Sequence, residues 1–168
     1  MIDLIKGECI EIMKSIPNAS IDAIITDPPY GTTACKWDSV IDFDLMWEQL
    51  NRIIKPNGAV VLFGSEPFSS ALRMSNIKNY KYDWYWRKPK GTGQLNAKRM
   101  PMNDVETISV FYRKQCIYNP QFTEGKPYKA KSGKIGFDGY GKDNRKGNDN
   151  SGKRYPKRLI EFNVVERN

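Results

Sequence analysis

The apolar run Ile21-Asp22-Ala23-Ile24-Ile25-Thr26 leads directly into Asp27-Pro28-Pro29-Tyr30. One carboxylate, two rigid prolines and an aromatic ring at a strand end suit the recognition of a planar amino group. Asp27 can accept a hydrogen bond from an exocyclic NH2. Pro28 and Pro29 have fixed φ and no N–H, so their carbonyls act as acceptors without a competing donor. Tyr30 offers a face on which a base could stack, as extruded bases do in enzymes that modify them. The same four residues also fit a simple proline turn after a strand, so the tetrapeptide alone leaves both readings open.

The flanking pattern supplies the elements that would hold this group. Ile2–Cys9 alternates enough to predict a short strand, and Glu11–Ile16 a short helix ended by Pro17-Asn18. Ile21–Thr26 reads as a strand buried on both faces, because its apolar character is nearly continuous. Asp42–Ile54 carries Phe43, Leu45, Met46, Leu50, Ile53 and Ile54 at helical period and stops before Pro56-Asn57-Gly58. Ala59–Phe63 predicts a third strand closed by Gly64-Ser65, and Pro67–Met74 a helix with proline in its first turn. Tyr82–Trp86 and Thr107–Tyr112 read as further strands. This alternation predicts an α/β domain with a mainly parallel sheet. In such sheets ligands bind beyond the carboxyl ends of the strands, where Asp27 and Gly64 both fall.

At 168 residues the chain suits one domain with a real core. No apolar run approaches the roughly 20 residues that span a bilayer. The start, Met1-Ile2-Asp3, runs straight into strand-like sequence with no secretory signal. Cys9, Cys35 and Cys116 form no close pair, and without histidine a zinc site would need only cysteine and carboxylate ligands. The expectation is a reduced, cytoplasmic protein with no membrane partner.

The net charge of +8 is unevenly placed. Residues 1–112 hold 13 basic and 13 acidic side chains, whereas residues 113–168 hold 14 basic and 6 acidic. A basic segment on a neutral core points to a polyanion, nucleic acid first, or else to a solvated tail. From Gln121 to Arg154 the chain is rich in Gly, Lys and Asn without apolar period, which predicts a long loop or a segment ordered on binding. Its lysines interleave with Phe137 and Tyr140, a mixture able to contact phosphates and stack on bases.

Taken together, several segments resemble the β-arrangement DNA amino-methyltransferases, which methylate adenine N6 or cytosine N4. They are Gly7-Glu8-Cys9, Ile16-Pro17-Asn18-Ala19-Ser20-Ile21-Asp22, Thr26-Asp27-Pro28-Pro29-Tyr30-Gly31, Lys36-Trp37-Asp38 and Phe63-Gly64-Ser65-Glu66-Pro67-Phe68. Asn96-Ala97-Lys98-Arg99-Met100-Pro101, Val110-Phe111-Tyr112, Tyr118-Asn119-Pro120-Gln121 and Arg154-Tyr155-Pro156-Lys157 extend the match along the chain. The resemblance implies a Rossmann-like methyltransferase sheet with a basic, loop-rich insertion. Residues 1–112 would form the catalytic α/β part and 113–168 the target-recognition segment. It assigns Asp27, Pro28, Pro29 and Tyr30 to catalysis, and Glu8, Cys9 and Asp27 to S-adenosylmethionine. Double-stranded DNA is the implied partner, contacted through Lys88, Lys90, Lys98, Arg99, Lys129, Lys131, Lys134, Lys142, Arg145 and Lys146. The Asp-first motif resembles the adenine-N6 members more than the cytosine-N4 ones.

The chain also departs from the pattern. Glu8 stands where relatives often have Asp, and Val105-Glu106 where many have His-Glu. In this arrangement the cofactor half follows the recognition segment, and the sequence stops at Val164-Val165-Glu166-Arg167-Asn168, where that half would begin. Neither Phe63-Gly64-Ser65-Glu66 nor Gly91-Thr92-Gly93 supplies the glycine-rich strand-end turn of a nucleoside site. The resemblance places the missing strands centrally, between Ile2–Cys9 and Ile21–Thr26. The expectation is an incomplete sheet that pairs with a second polypeptide, self-associates through its exposed edge, or rearranges. Two functions fit: a truncated or split DNA amino-methyltransferase, or a methyltransferase-derived DNA- or protein-binding module, such as a decoy or inhibitor, that has lost catalysis.

Overall fold

Amphipathic spacing and one capping aspartate set the first long helix. A computed structural model describes residues 2–129 and 149–162. In it α1 spans Cys9–Lys14, β1 Ile21–Thr26, and α2 Phe43–Ile53. The Asp42 side chain caps α2 by accepting from the Leu45 amide at 3.0 Å. Met46, Trp47, Leu50 and Ile53 fall on one face of α2 and are buried. The chain then enters β2, Ile54–Gly64, whose buried Val60 and Leu62 alternate with half-buried Val61 and Phe63. Helix α3 covers Phe68–Ser75, β3 Tyr80–Thr92 and β4 Asn103–Phe111.

These strands form a sheet in the order β1-β2-β4-β3-β9, where β9 is Leu159–Glu161. Met46, Trp47 and Leu50 of α2 and Phe68 and Leu72 of α3 share one core with Val60, Leu62 and Phe111. Leu62 and Leu72 are fully buried, each worth roughly 1.5–3 kcal/mol relative to exposure. A polar network continues this layer: Arg73 of α3 and Ser109 of β4 both donate to the buried Asp83 carboxylate of β3, at 3.1 and 2.7 Å.

The structure corrects three expectations. The sheet is mixed rather than mainly parallel: β1–β2 and β3–β9 are parallel, while β2–β4 and β3–β4 are antiparallel. The connection from β3 to β4 is too short for a crossover back to the starting end, so the second strand returns antiparallel. Ile2–Cys9 is not a strand. Its Ile2, Leu4 and Ile5 are exposed, and Cys9 already begins α1. Alternation cannot make a strand without a ladder partner, and among the described residues β1 is paired on its β2 side alone. Nor is β1 buried on both faces: Ile24 packs against the core, whereas the adjacent Ile25 projects from the other face and is 69% exposed.

The chain divides into two compact units, Met1–Ile117 with Arg158–Asn168, and Tyr118–Lys157. Within the second, Thr123–Glu124 (β5) pairs with Lys153–Arg154 (β8), and Tyr128–Lys129 (β6) with Asp149–Asn150 (β7). Phe122 packs on Tyr155 at 4.8 Å between centroids, and the Arg154 guanidinium lies 4.7 Å over the Tyr128 ring. The long loop predicted for Gln121–Arg154 therefore contains two short ladders. Among the described residues no helix is long and apolar enough to cross a membrane.

Candidate functional site

Strands β1 and β2 run parallel with Thr26 beside Leu62, so Asp27 and Gly64 emerge at the same, carboxyl end of the sheet. Beyond β1 the chain forms a cleft of about 290 Å³ lined by Asp27, Pro28, Pro29, Tyr30, Thr32, Thr33, Trp37 and Asp38. Pro28 is buried, Pro29 and Tyr30 are half-buried, and Asp27 is exposed. The Tyr30 hydroxyl donates to Asp27 Oδ1. Oδ2 has no hydrogen-bond partner among the described residues. Burial, then the hydrogen bond and charge of Asp27, then the charge of Glu106 raise the Tyr30 phenol far above its ordinary pKa. It remains a protonated donor at neutral pH. The Tyr30 ring stacks on Phe68, at the start of α3, with centroids 5.2 Å apart and planes at 27°.

Asp38 holds the loop that closes this cleft. Its carboxylate is only 8% exposed. Oδ1 accepts from the Gly31 amide at 2.8 Å, and Oδ2 from the Thr32 and Thr33 amides at 3.0 and 2.7 Å. The Thr33 hydroxyl and these amides hold the Asp38 carboxyl down at about 2, despite the opposing effect of burial. Gly31 permits the turn: its φ is +67°, and a Cβ there would meet Val40 Cγ2 at 2.9 Å. Asp38 belongs to the segment Lys36-Trp37-Asp38, in which the resemblance assigns it no role. A carboxylate following a Gly-Thr-Thr turn at a spacing that lets it reach back to those amides was the available signal.

The cofactor candidates do not converge. Glu8 caps α1, accepting from the Glu11 amide at 2.9 Å, which with the Ile10 amide lowers its pKa. Burial and the Glu8 charge raise the neighbouring Cys9 thiol. Neither residue lines the cleft that contains Asp27. Gly64 provides no cradle for a nucleoside, because a Cβ on it would meet Ser69 Oγ at 2.5 Å; its missing side chain makes room for α3. The described residues therefore do not fit S-adenosylmethionine on their own.

The basic candidates are placed unequally. Lys88 of β3 donates to Glu106 of β4 at 2.7 Å, and both side chains are about four-fifths buried. Lys90 is exposed on β3, Lys98 and Arg99 are exposed between β3 and β4, and Lys129 is exposed on β6. Lys131, Lys134, Lys142, Arg145 and Lys146, with Phe137 and Tyr140, lie outside the described residues.

The cleft and sheet can be set beside known proteins. The chain is 33% identical over 133 residues to Type II methyltransferase M.HinfI of Haemophilus influenzae, a match covering 62% of this chain and 36% of that protein. It is 36% identical over 115 residues to Type II methyltransferase M.HpaI of Haemophilus parainfluenzae, covering 61% and 37%. The chain resembles part of the Type II DNA methyltransferases. It spans about a third of the length of these curated relatives. PvuII DNA methyltransferase (cytosine-N4-specific) shares the fold, with a TM-score of 0.56 at 16% identity, over 96% of this chain and 57% of that one. A DNA modification methylase of Thermus thermophilus superposes with a TM-score of 0.50 at 18% identity, over 68% of this chain and 54% of that one. No protein-family model matches the chain. The expected methyltransferase-like α/β sheet is thus present, with β1 at an edge that is unpaired among the described residues.

Proposed function

We propose that this chain forms the target-base half of a DNA amino-methyltransferase, with adenine N6 favoured over cytosine N4 by the Asp-first motif. The observation that carries this reading is that Asp27 lines a small cleft with Oδ1 bonded to Tyr30 and Oδ2 without a partner among the described residues. An exocyclic amine is a poor nucleophile because its lone pair is delocalised into the ring. Hydrogen bonds from the amine to Asp27 and the Pro28 carbonyl favour a pyramidal nitrogen with its lone pair outside the ring system. Tyr30, anchored at its hydroxyl and braced by Phe68, fixes the carboxylate for that contact. S-adenosylmethionine is the methyl donor of this reading, held by residues beyond those described. Its strands would complete the sheet at the β1 edge, from a second polypeptide or from self-association; size-exclusion mass measurement of a stable monomer would refute that pairing.

Double-stranded DNA is the proposed partner. If residues 113–158 hold its phosphates, affinity falls steeply as salt rises, and a flat salt dependence refutes that assignment. The decisive experiment measures methyl transfer to DNA and DNA binding for the wild type and Asp27→Ala, with the completing polypeptide present. Loss of transfer with binding retained supports the reading; unchanged transfer overturns it.

A second reading, a DNA- or protein-binding module without catalysis, is favoured by one observation: the described residues offer no nucleoside cradle, since the space at Gly64 is taken by Ser69. Calorimetric titration of the chain with S-adenosylmethionine separates the two. No heat in any assembly, with DNA binding kept, selects the binding module.

A further inference from the structure

Trp37 is 73% exposed although tryptophan carries the largest apolar surface of any side chain. Single exposed apolar residues are ordinary on protein surfaces. Trp37 differs from them in two respects. It lines the cleft that holds the open Asp27 carboxylate. It also follows directly from a loop fixed from within, because the adjacent Asp38 takes the Gly31, Thr32 and Thr33 amides in a nearly solvent-free position. A buried carboxylate with three amide donors is an expensive way to hold a loop whose neighbouring indole has no ring contact or hydrogen bond to another described residue. The other aromatic ring of the cleft, Tyr30, has one face on Phe68 and its hydroxyl on Asp27, which leaves it a single face, whereas both faces of Trp37 are without a ring partner among the described residues.

We infer that Trp37 is the aromatic surface against which an entering base is laid, with Asp38 as the positioning residue that presents it. The inference rests on the proposed base pocket and adds a division of labour to it. Asp27 reads the amine at the base edge, whereas Trp37 contacts the base face and is indifferent to which base it is. Stacking supplies sequence-tolerant affinity, since every base has a π-face.

The test uses single-stranded 12-mers of deoxyadenylate and of thymidylate, and an abasic 12-mer with the same phosphates, so that no duplex need be opened. Trp37→Ala should weaken binding of both base-bearing oligomers by about five- to a hundred-fold and leave the abasic oligomer unchanged. Trp37→Phe should restore most of the loss. Bound deoxyadenylate should shield the exposed indole from acrylamide in the wild type. Equal weakening on all three oligomers would make Trp37 a backbone contact and overturn the inference, as would no weakening on any. Asp27→Ala reports separately on the pocket, because only adenine carries an exocyclic amine. If Asp27→Ala lowers the preference for deoxyadenylate over thymidylate while Trp37→Ala changes nothing, the pocket stands and Trp37 falls. If the wild type prefers neither base-bearing oligomer to the abasic one, the pocket and Trp37 fall together.

Discussion

Gly64→Ala is the substitution whose cost the structure defines most closely. Gly64 ends β2 at the same end of the sheet as Asp27, and a Cβ built on it lies 2.5 Å from Ser69 Oγ and 3.3 Å from Phe68 Cδ1. Ser69 is fully buried, and its hydroxyl is 2.6 Å from Thr107 Oγ1. Thr107 spends its one proton on the Gly64 carbonyl at 2.9 Å, so Ser69 must be the donor in that pair. The new methyl displaces this hydroxyl and leaves a buried polar group unsatisfied, which costs about 1–3 kcal/mol. Crowding against Phe68 adds an overpacking cost of about 1–3 kcal/mol, so Gly64→Ala should lose roughly 2–6 kcal/mol in all. Ser69→Ala alone removes one hydrogen bond, about 0.5–1.5 kcal/mol.

Urea unfolding of the two single variants and the double variant measures the coupling. With Ser69→Ala the close contact disappears, and the remaining neighbours of the new methyl stand at 3.3 and 3.5 Å. The double variant should therefore be more stable than Gly64→Ala alone, with a coupling of roughly 1–3 kcal/mol. Strict additivity would refute the reasoning and reopen Gly64 as a residue kept small for a ligand.

Other expectations follow from the same geometry. The Asp38 carboxyl is held at about 2 against an ordinary 3.8, so its contribution is complete above pH 4 and disappears as pH falls toward 2. The stability gap between wild type and Asp38→Asn should narrow across that interval, and a gap independent of pH would contradict the assignment. Arg52→Met should loosen α1, because the guanidinium donates to the Met13 and Ile16 carbonyls, to Asn18 and to the buried Gln49. A loss of roughly 2–4 kcal/mol is expected from these charged hydrogen bonds, with faster amide exchange over residues 9–16 as the check. Asp83→Ala removes the acceptor of Ser109 and one of the two carboxylates on Arg73, which keeps Glu66, and should cost about 1–3 kcal/mol in thermal or urea unfolding; no measurable loss would show that the network is replaceable.

Elements with strong local signals were legible in the sequence. The helical period from Phe43 to Ile53 and the strand from Ile21 to Thr26 appear with little or no displacement. Ile2–Cys9 failed because a strand is a property of a pair, and its alternation contains no information about a neighbour. β3 was foreseen as Tyr82–Trp86 but reaches Thr92, past Pro89 and Gly91. Its register with β4 is interrupted between Arg87 and Thr92, which tolerates a residue without an N–H. β9 was missed because three residues, Leu159–Glu161, carry no period and are strand only by lying along Tyr85–Arg87. That Asp27–Tyr30 come together in one cleft was legible because they are adjacent in the chain. Asp38 and Phe68 were not, since one acts through backbone amides and the other through a helix brought over the turn by core packing.

This locality bears on how the site is built. Tyr30 reaches Asp27 across one turn, Asp38 reaches back to Gly31–Thr33, and Phe68 arrives on α3 because Leu72 and Phe68 pack on β2. Among the described residues, every contact that shapes the cleft lies on the β2 side of β1 or in the loop after it. The unpaired edge of β1 contributes no described residue to the cleft. The geometry of the cleft is thus independent of whatever pairs with that edge, whereas on the proposed reading delivery of a methyl group is not. On the proposed reading, the chain would bind its target base without the donor-binding side and would transfer a methyl group only once the free edge of β1 is paired.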